Sequence, residues 1–224
     1  MEKLLPENDS FAITIGRQFG SGGRELGKAL ARAFGIAYYD KELLVEAARQ
    51  AGLATEFFEN SDEKAPSFLS GIFPFNMGMN PGVMYGGSTS ISDDSIYNTQ
   101  SDVMRRLAST GSCVIVGRTA DYVLRDHPRA VHLFVSAPED ECVKRIMKRG
   151  DCHDETAART KLHKINKLRS NFYNFYTDKR WGDSSSYDLC FDSSRLPAED
   201  AVHVVAEYIR RRFGIDPYGK GFQY

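Results

Sequence analysis

The chain has 224 residues, 42% hydrophobic, 12% aromatic and 26% charged, a globular composition that excludes collagenous, low-complexity and wholly disordered chains. Its longest unbroken apolar runs, such as Cys113–Val116, fall far short of the ~20 residues of a membrane helix, and Met1–Glu7 has no apolar export core, so a cytoplasmic protein with no membrane partner is expected. The formal net charge of −1 hides segregation, because Lys144 to Arg180 holds eleven Lys/Arg against four Asp/Glu and so faces anions.

Phe11–Ile15 is a β-branched run that stops at Gly16 before a glycine cluster, which predicts a buried strand and a turn. Leu26, Leu30, Ala33 and Phe34 then recur at helical spacing up to a capping Gly35. Ile36–Tyr39 reads as a second strand, and Asp40 as the cap of a helix carrying Leu43, Leu44 and Ala47. Ala65–Ser92 runs without a charged residue, with three prolines, five glycines, three methionines and four aromatics. That stretch reads as a flap over a site, as a contact between two copies of the chain in a homodimer, or as a plain loop, the flap being the strongest reading.

Alternation resumes with a helix over about Ser95–Ser109, a strand Cys113–Val116, a helix from about Thr119 and a strand Val131–Val135. Ser136 followed by Pro138 and Glu139 has the form of a capping box opening a helix to about Lys148. Leu162, Ile165, Leu168, Phe172 and Phe175 mark one apolar stripe, with Lys161, Lys164, Lys167 and Arg169 largely off it, so an amphipathic basic helix is predicted. Tyr187–Phe191 reads as the last strand and Pro197–Phe213 as the closing helix. Five short strands separated by helices predict a doubly wound parallel sheet whose ligand sits beyond the strands' carboxyl ends. Four dispersed cysteines without a C-x-x-C pair predict reduced thiols, and Cys152 beside His153 is too sparse for a metal site.

Gly16-Arg17-Gln18-Phe19-Gly20-Ser21-Gly22-Gly23-Arg24-Glu25 lies between the first strand and the first helix, where an α/β protein binds phosphate. Glycines there let the backbone approach an anion, and the helix amino end is electropositive. Neither common signature is satisfied. The dinucleotide pattern matches at Gly20 and Gly22 and finds Asp40 at the ribose distance, but Glu25 holds its third glycine position. The mononucleotide pattern G-x-x-x-x-G-K-[ST] meets Gly23 at its lysine position, followed by Arg24 and Glu25.

Arg17–Glu25, Tyr38-Tyr39-Asp40-Lys41-Glu42, Val114–Arg118, the strand Val131–Val135 with Ser136-Ala137-Pro138, and Tyr173–Asp183 together resemble the cytidylate kinase-like family, a branch of the P-loop kinases. The resemblance spans about Phe11 to Phe213 outside the uncharged insertion. It implies a three-layer α/β/α P-loop kinase fold over residues 1–224, with a five-stranded parallel sheet, an inserted acceptor-side segment at 55–102 and a basic helical lid at 150–185. The activity implied is transfer of the ATP γ-phosphate, with Mg²⁺, to a nucleoside monophosphate, CMP or dCMP foremost. The partner expected is thus a small nucleotide and not nucleic acid.

By the same resemblance Gly20, Ser21, Gly22, Gly23, Arg24 and Glu25 hold the donor phosphates, Arg118 contacts the acceptor phosphate beside Asp40, and Arg169 is the lid arginine. Since Gly23 replaces the lysine, Arg24 or Arg17 stands in for the missing cation, and Glu25 is placed to ligate Mg²⁺. Thr119 takes a position where the nucleotide kinases have aspartate. Plainer readings stand beside these: Arg118 as a strand-end charge, Asp40 as a helix cap, Arg24 as a partner of Glu25 or Glu42, and Trp181, Tyr173 and Tyr176 as aromatics that pack the basic helix onto the core. Two rival functions remain open on sequence grounds. A nucleotide-binding regulator would have lost transfer chemistry with the lysine, and a nicotinamide-dependent oxidoreductase would need the glycine that Glu25 replaces.

Overall fold

The computed structural model describes residues 10–40, 42–44 and 91–219. Its contacts divide the chain into two compact units, Met1–Lys41 with Met104–Tyr224, and Glu42–Val103. Of the expected helix after Asp40, residues 42–44 are helical, while Ala47 and the uncharged insertion up to residue 90 lie outside the described residues. Among the described residues no helix is long and apolar enough to cross a membrane.

The elements are β1 (Ala12–Arg17), α1 (Gly23–Phe34), β2 (Ala37–Tyr39), α2 (Ile91–Thr110), β3 (Cys113–Val116), α3 (Ala120–Val123), β4 (Ala130–Ser136), α4 (Glu139–Lys148), α5 (Glu155–Thr177), β5 (Leu189–Asp192) and α6 (Ala198–Phe213). The five strands form one sheet in the order β2-β3-β1-β4-β5, parallel throughout. Alternate strand residues Ile13, Ile15, Val114, Val116, Val131, Leu133 and Val135 bury one face against Leu26, Leu30 and Phe34 of α1 and Val202, Val205 and Ile209 of α6. On the other face Phe134 is packed by Trp181, edge-on at 5.5 Å between ring centroids, and by Tyr187 at 5.0 Å. Burial of both faces is why these strands are apolar almost without interruption. The layers and the strand order are those of a P-loop kinase fold.

The chain leaves β1 toward the β2 edge and leaves β4 toward the β5 edge. The carboxyl ends of these two adjacent strands are therefore where the connections diverge and a crevice opens.

Several local expectations are corrected. β1 continues to Arg17 because Gly16 and Arg17 pair with Phe134 and Val135, so Arg17 stands on a strand end rather than in the loop. The Ser136 capping box does not form. Pairing with Asp192 keeps Ser136 in β4, its hydroxyl donates to the Phe191 carbonyl (3.3 Å), and Pro138 caps α4 without a side-chain bond. The helix from Thr119 is a single turn. β5 starts at Leu189, because Tyr187 closes a 3₁₀ turn at Ser184–Ser186. In α5, Leu162 and Ile165 are buried but Leu168 and Phe175 are 40% and 75% exposed. Ala158, Tyr173 and Thr177 complete the buried face instead, since the expected stripe advances by fewer residues per turn than the roughly 3.6 of an α-helix and so winds off that face.

Tyr173 anchors α5 through a polar contact. Its hydroxyl donates to Asp121 Oδ2 at 2.7 Å, with both residues buried. Burial raises the Asp121 carboxyl pKa, and this donor opposes the rise. Tyr173→Phe removes that buried carboxyl's side-chain donor and leaves it backbone amides, and is expected to cost about 1–3 kcal/mol, measured by urea denaturation.

Candidate active site

The glycine loop is held from four sides. The Gln18 amide donates to the Val135 carbonyl (3.0 Å), and the Gln18 Oε1 accepts from the Ala137 amide (3.3 Å). The Phe19 amide donates to Asn166 Oδ1 on α5 (2.8 Å). Ser21 turns its hydroxyl inward to the Gln18 carbonyl (2.9 Å), so its contribution toward the crevice is backbone. Ser193, just beyond β5, donates to the Ser21 carbonyl (2.5 Å). That serine is in turn gripped by Arg145, whose Nη1 donates to its Oγ (2.7 Å) and Nη2 to its carbonyl (3.0 Å).

Gly20 and Gly22 have φ of +77° and +82°, which side-chain-bearing residues rarely adopt. Gly22 is also the N-cap of α1, so no side chain covers the helix's amino end. These features make a rigid backbone cradle at an electropositive helix terminus.

Around that cradle five arginines converge. Arg17 leaves the end of β1, Arg24 lies on the first turn of α1, Arg118 follows β3, Arg149 follows α4 and Arg169 sits on α5. Burial, then Arg118 and Arg24, lowers the Arg17 pKa to about 10. Burial, then Arg17, Arg24, Arg149 and Arg118, pulls Arg169 well below its ordinary range. Arg169 Nη1 donates to the Arg17 carbonyl (2.9 Å). Arg149 and Arg169 both lie over the Phe19 ring, at 5.3 and 5.7 Å from its centroid, as weakly hydrated guanidiniums do. Arg118 lies 5.8 Å from the Phe172 ring.

Two carboxylates stand among these cations. Asp40 pairs with Arg24 at 3.3 Å and accepts from the Tyr38 hydroxyl at 3.4 Å. Glu25 is 3.9 Å from Arg149. Five guanidiniums against two carboxylates leave the cluster positive, and an anion placed among them relieves the mutual repulsion that adds to burial in lowering the Arg17 and Arg169 pKa values.

The loop after β3 carries unusual backbone. Gly117, Arg118 and Thr119 have φ of +85°, +59° and +54° in succession. A left-handed conformation costs an L-residue about 1–2 kcal/mol, and such strain concentrates at functional sites. The turn sets Arg118 at the carboxyl end of β3, beside Arg17.

Of the residues singled out from sequence, Arg17, Arg24, Asp40, Arg118 and Arg169 are thus brought to one place with the glycine loop. Arg24 pairs with Asp40 at 3.3 Å. Trp181 and Tyr173 pack onto the core, whereas Tyr176 contacts Phe172 and Phe175 of its own helix. Sequence reasoning missed Arg149, the Arg145–Ser193 brace and the part played by Gln18. The basic stretch contains both Arg149 and Arg145; nothing local pointed to Ser193 or Gln18.

As a magnesium site the residues fit one mode only. Among the described residues no group of three or more His, Cys, Asp or Glu converges, so Glu25, more than half exposed at the α1 amino end, would hold the ion together with a ligand's phosphates. That is the usual magnesium arrangement, with one or two carboxylates and the rest supplied by phosphate and water.

A model of the cytidylate kinase-like family matches residues 12–195. Among solved structures, the fold is similar to that of an uncharacterized protein from Eubacterium ventriosum, at 30% identity and TM-score 0.67, covering 91% of this chain and 100% of that one. It is also similar to a shikimate kinase from Acinetobacter baumannii in complex with shikimate, at 13% identity and TM-score 0.50, covering 92% and 96%. A shikimate kinase from Bacteroides thetaiotaomicron gives 12% identity and TM-score 0.50, covering 89% and 98%. No curated protein matches the sequence.

Proposed function

The chain belongs to the cytidylate kinase-like family, and from that premise we propose that it is an ATP-dependent phosphotransferase whose acceptor is a nucleoside monophosphate, CMP or dCMP foremost. The observation that carries this reading is the convergence of Arg17, Arg24, Arg118, Arg149 and Arg169 on a glycine loop at the sheet's carboxyl edge. Phosphoryl transfer places little covalent work on a protein; it needs in-line positioning and cations around the charged oxygens. The amides of the Gly20–Glu25 turn hold the donor's phosphates, and Arg169 neutralises charge that develops between donor and acceptor. Arg118 binds the acceptor's phosphate, and Asp40 fixes Arg24 and borders the acceptor side. An acceptor oxygen attacks the γ-phosphorus as the bond to the β–γ bridging oxygen breaks, and ADP leaves. Glu25, with the phosphates, would hold a magnesium ion, which when bound would add charge neutralisation at the transferring group.

A phosphate-bearing acceptor suits this site better than an uncharged one, because five guanidiniums set against two carboxylates leave the cluster positive. The test is ADP release with ATP and Mg²⁺ against CMP, dCMP, UMP, AMP, shikimate and water alone. ADP release that depends on a nucleoside monophosphate is expected. ATP binding with no transfer to any acceptor selects the regulatory reading that the lysine's absence from position 23 favours. A chain that ignores ATP at millimolar concentration overturns both.

A further inference from the structure

The mononucleotide pattern G-x-x-x-x-G-K-[ST], set on Gly22, puts its first glycine at Arg17 and its lysine at Gly23. A cation stands where glycine is usual, and glycine where the cation is usual. The structure gives this exchange a steric cause. A Cβ on Gly23 would lie 2.6 Å from Arg17 Cβ and 3.0 Å from its Cγ, so the Arg17 stem fills the space through which a side chain at position 23 would start.

The other end of Arg17 meets a second glycine. A Cβ on Gly117 would collide with Arg17 Nη1 and come within 2.8 Å of Cζ. Arg17 therefore runs from the end of β1 through a slot walled by Gly23 on α1 and Gly117 after β3, and its guanidinium ends near Arg24, Asp40 and Arg118. Among the described residues, no hydrogen-bond acceptor and no ion-pair carboxylate is bound to that guanidinium. Arg24, the other candidate for the missing cation, is occupied by Asp40 at 3.3 Å.

We propose that Arg17 is the cation of this phosphate loop, reaching the donor's terminal phosphates from the strand end, and that Gly23 and Gly117 are glycines because its side chain passes where their Cβ atoms would be. This inference rests on the ATP reading above. It makes the cation a fork of five donors fixed by strand pairing at its base, where the usual loop supplies a single flexible ammonium.

The test compares the wild-type chain with Arg17→Ala, Arg17→Lys, Gly23→Lys and the exchange Arg17→Gly/Gly23→Lys, measuring Mg·ATP binding by calorimetry and melting temperature for each. Arg17→Ala is expected to weaken ATP binding about 10- to 100-fold, the range for a lost charge-assisted hydrogen bond, with Arg17→Lys in between. Gly23→Lys is expected to lower both affinity and melting temperature, and the exchange to recover both relative to that single variant. A Gly23→Lys chain that fails to fold while the exchange folds also supports the slot. A folded Arg17→Ala chain that binds ATP within twofold of wild type, or a Gly23→Lys chain with unaltered affinity and melting temperature, overturns the inference and leaves the kinase reading standing. Absence of ATP binding by the wild type overturns both.

Discussion

Arg169→Ala is expected to lower kcat by about 10³-fold, with the chain still folded and the ATP KM changed far less. In the proposed transfer, Arg169 acts on charge that is greatest at the transition state, and an arginine in that role is worth on the order of 10³ or more in kcat. It is well placed to act so: it is half-buried, its Nη1 is tied to the Arg17 carbonyl at 2.9 Å, and its guanidinium lies over Phe19. Arg169→Lys should recover only part of the loss, because an ammonium lacks the planar fork. Steady-state kinetics at saturating ATP and acceptor checks this. A kcat within about threefold of wild type, accompanied by a lower melting temperature, would make Arg169 a strut for the loop and nothing more.

The second large effect is on the loop itself. Gly20→Ala must place an L-residue at φ +77° and put its Cβ 2.7 Å from the Cys142 backbone carbonyl oxygen. The conformation costs about 1–2 kcal/mol and the overpacking about 1–3 kcal/mol more. A total loss of about 2–5 kcal/mol in urea denaturation is expected, and ATP binding should fall with it because the cradle shares that backbone. Gly35→Ala is the internal comparison. Gly35 has φ +63° but nothing within 4 Å of a Cβ, so it should show the conformational cost alone and leave ATP binding intact.

Much of the fold is legible in the amino-acid sequence. The alternation of Ile13 and Ile15, the helical spacing of Leu26, Leu30 and Phe34, and the capping Gly35 are local properties of chain geometry, and each element they predicted is present within a few residues. Misreadings arose where distant partners intervened. Ser136 looks like a helix cap until Asp192 pairs with it and keeps it in β4. Leu168 and Phe175 look like core, but the face that α5 buries against the rest of the fold runs through Ala158, Leu162, Ile165, Tyr173 and Thr177 and leaves them outside.

The glycine cluster and the basic stretch are written in consecutive residues, so the sequence alone determined that a glycine turn follows the first strand and that Lys144–Arg180 carries a local excess of positive charge. What only the tertiary structure decided is which charges meet there. Arg17 and Arg169 are 152 residues apart, yet one donates to the other's carbonyl. Their meeting depends on the strand order β2-β3-β1-β4-β5, which is set by long-range burial of both sheet faces and not by any local spacing. The same holds for Gly23 and Gly117: a missing side chain has no meaning in sequence until another side chain is seen to occupy its volume, and close packing is a property of the folded chain as a whole.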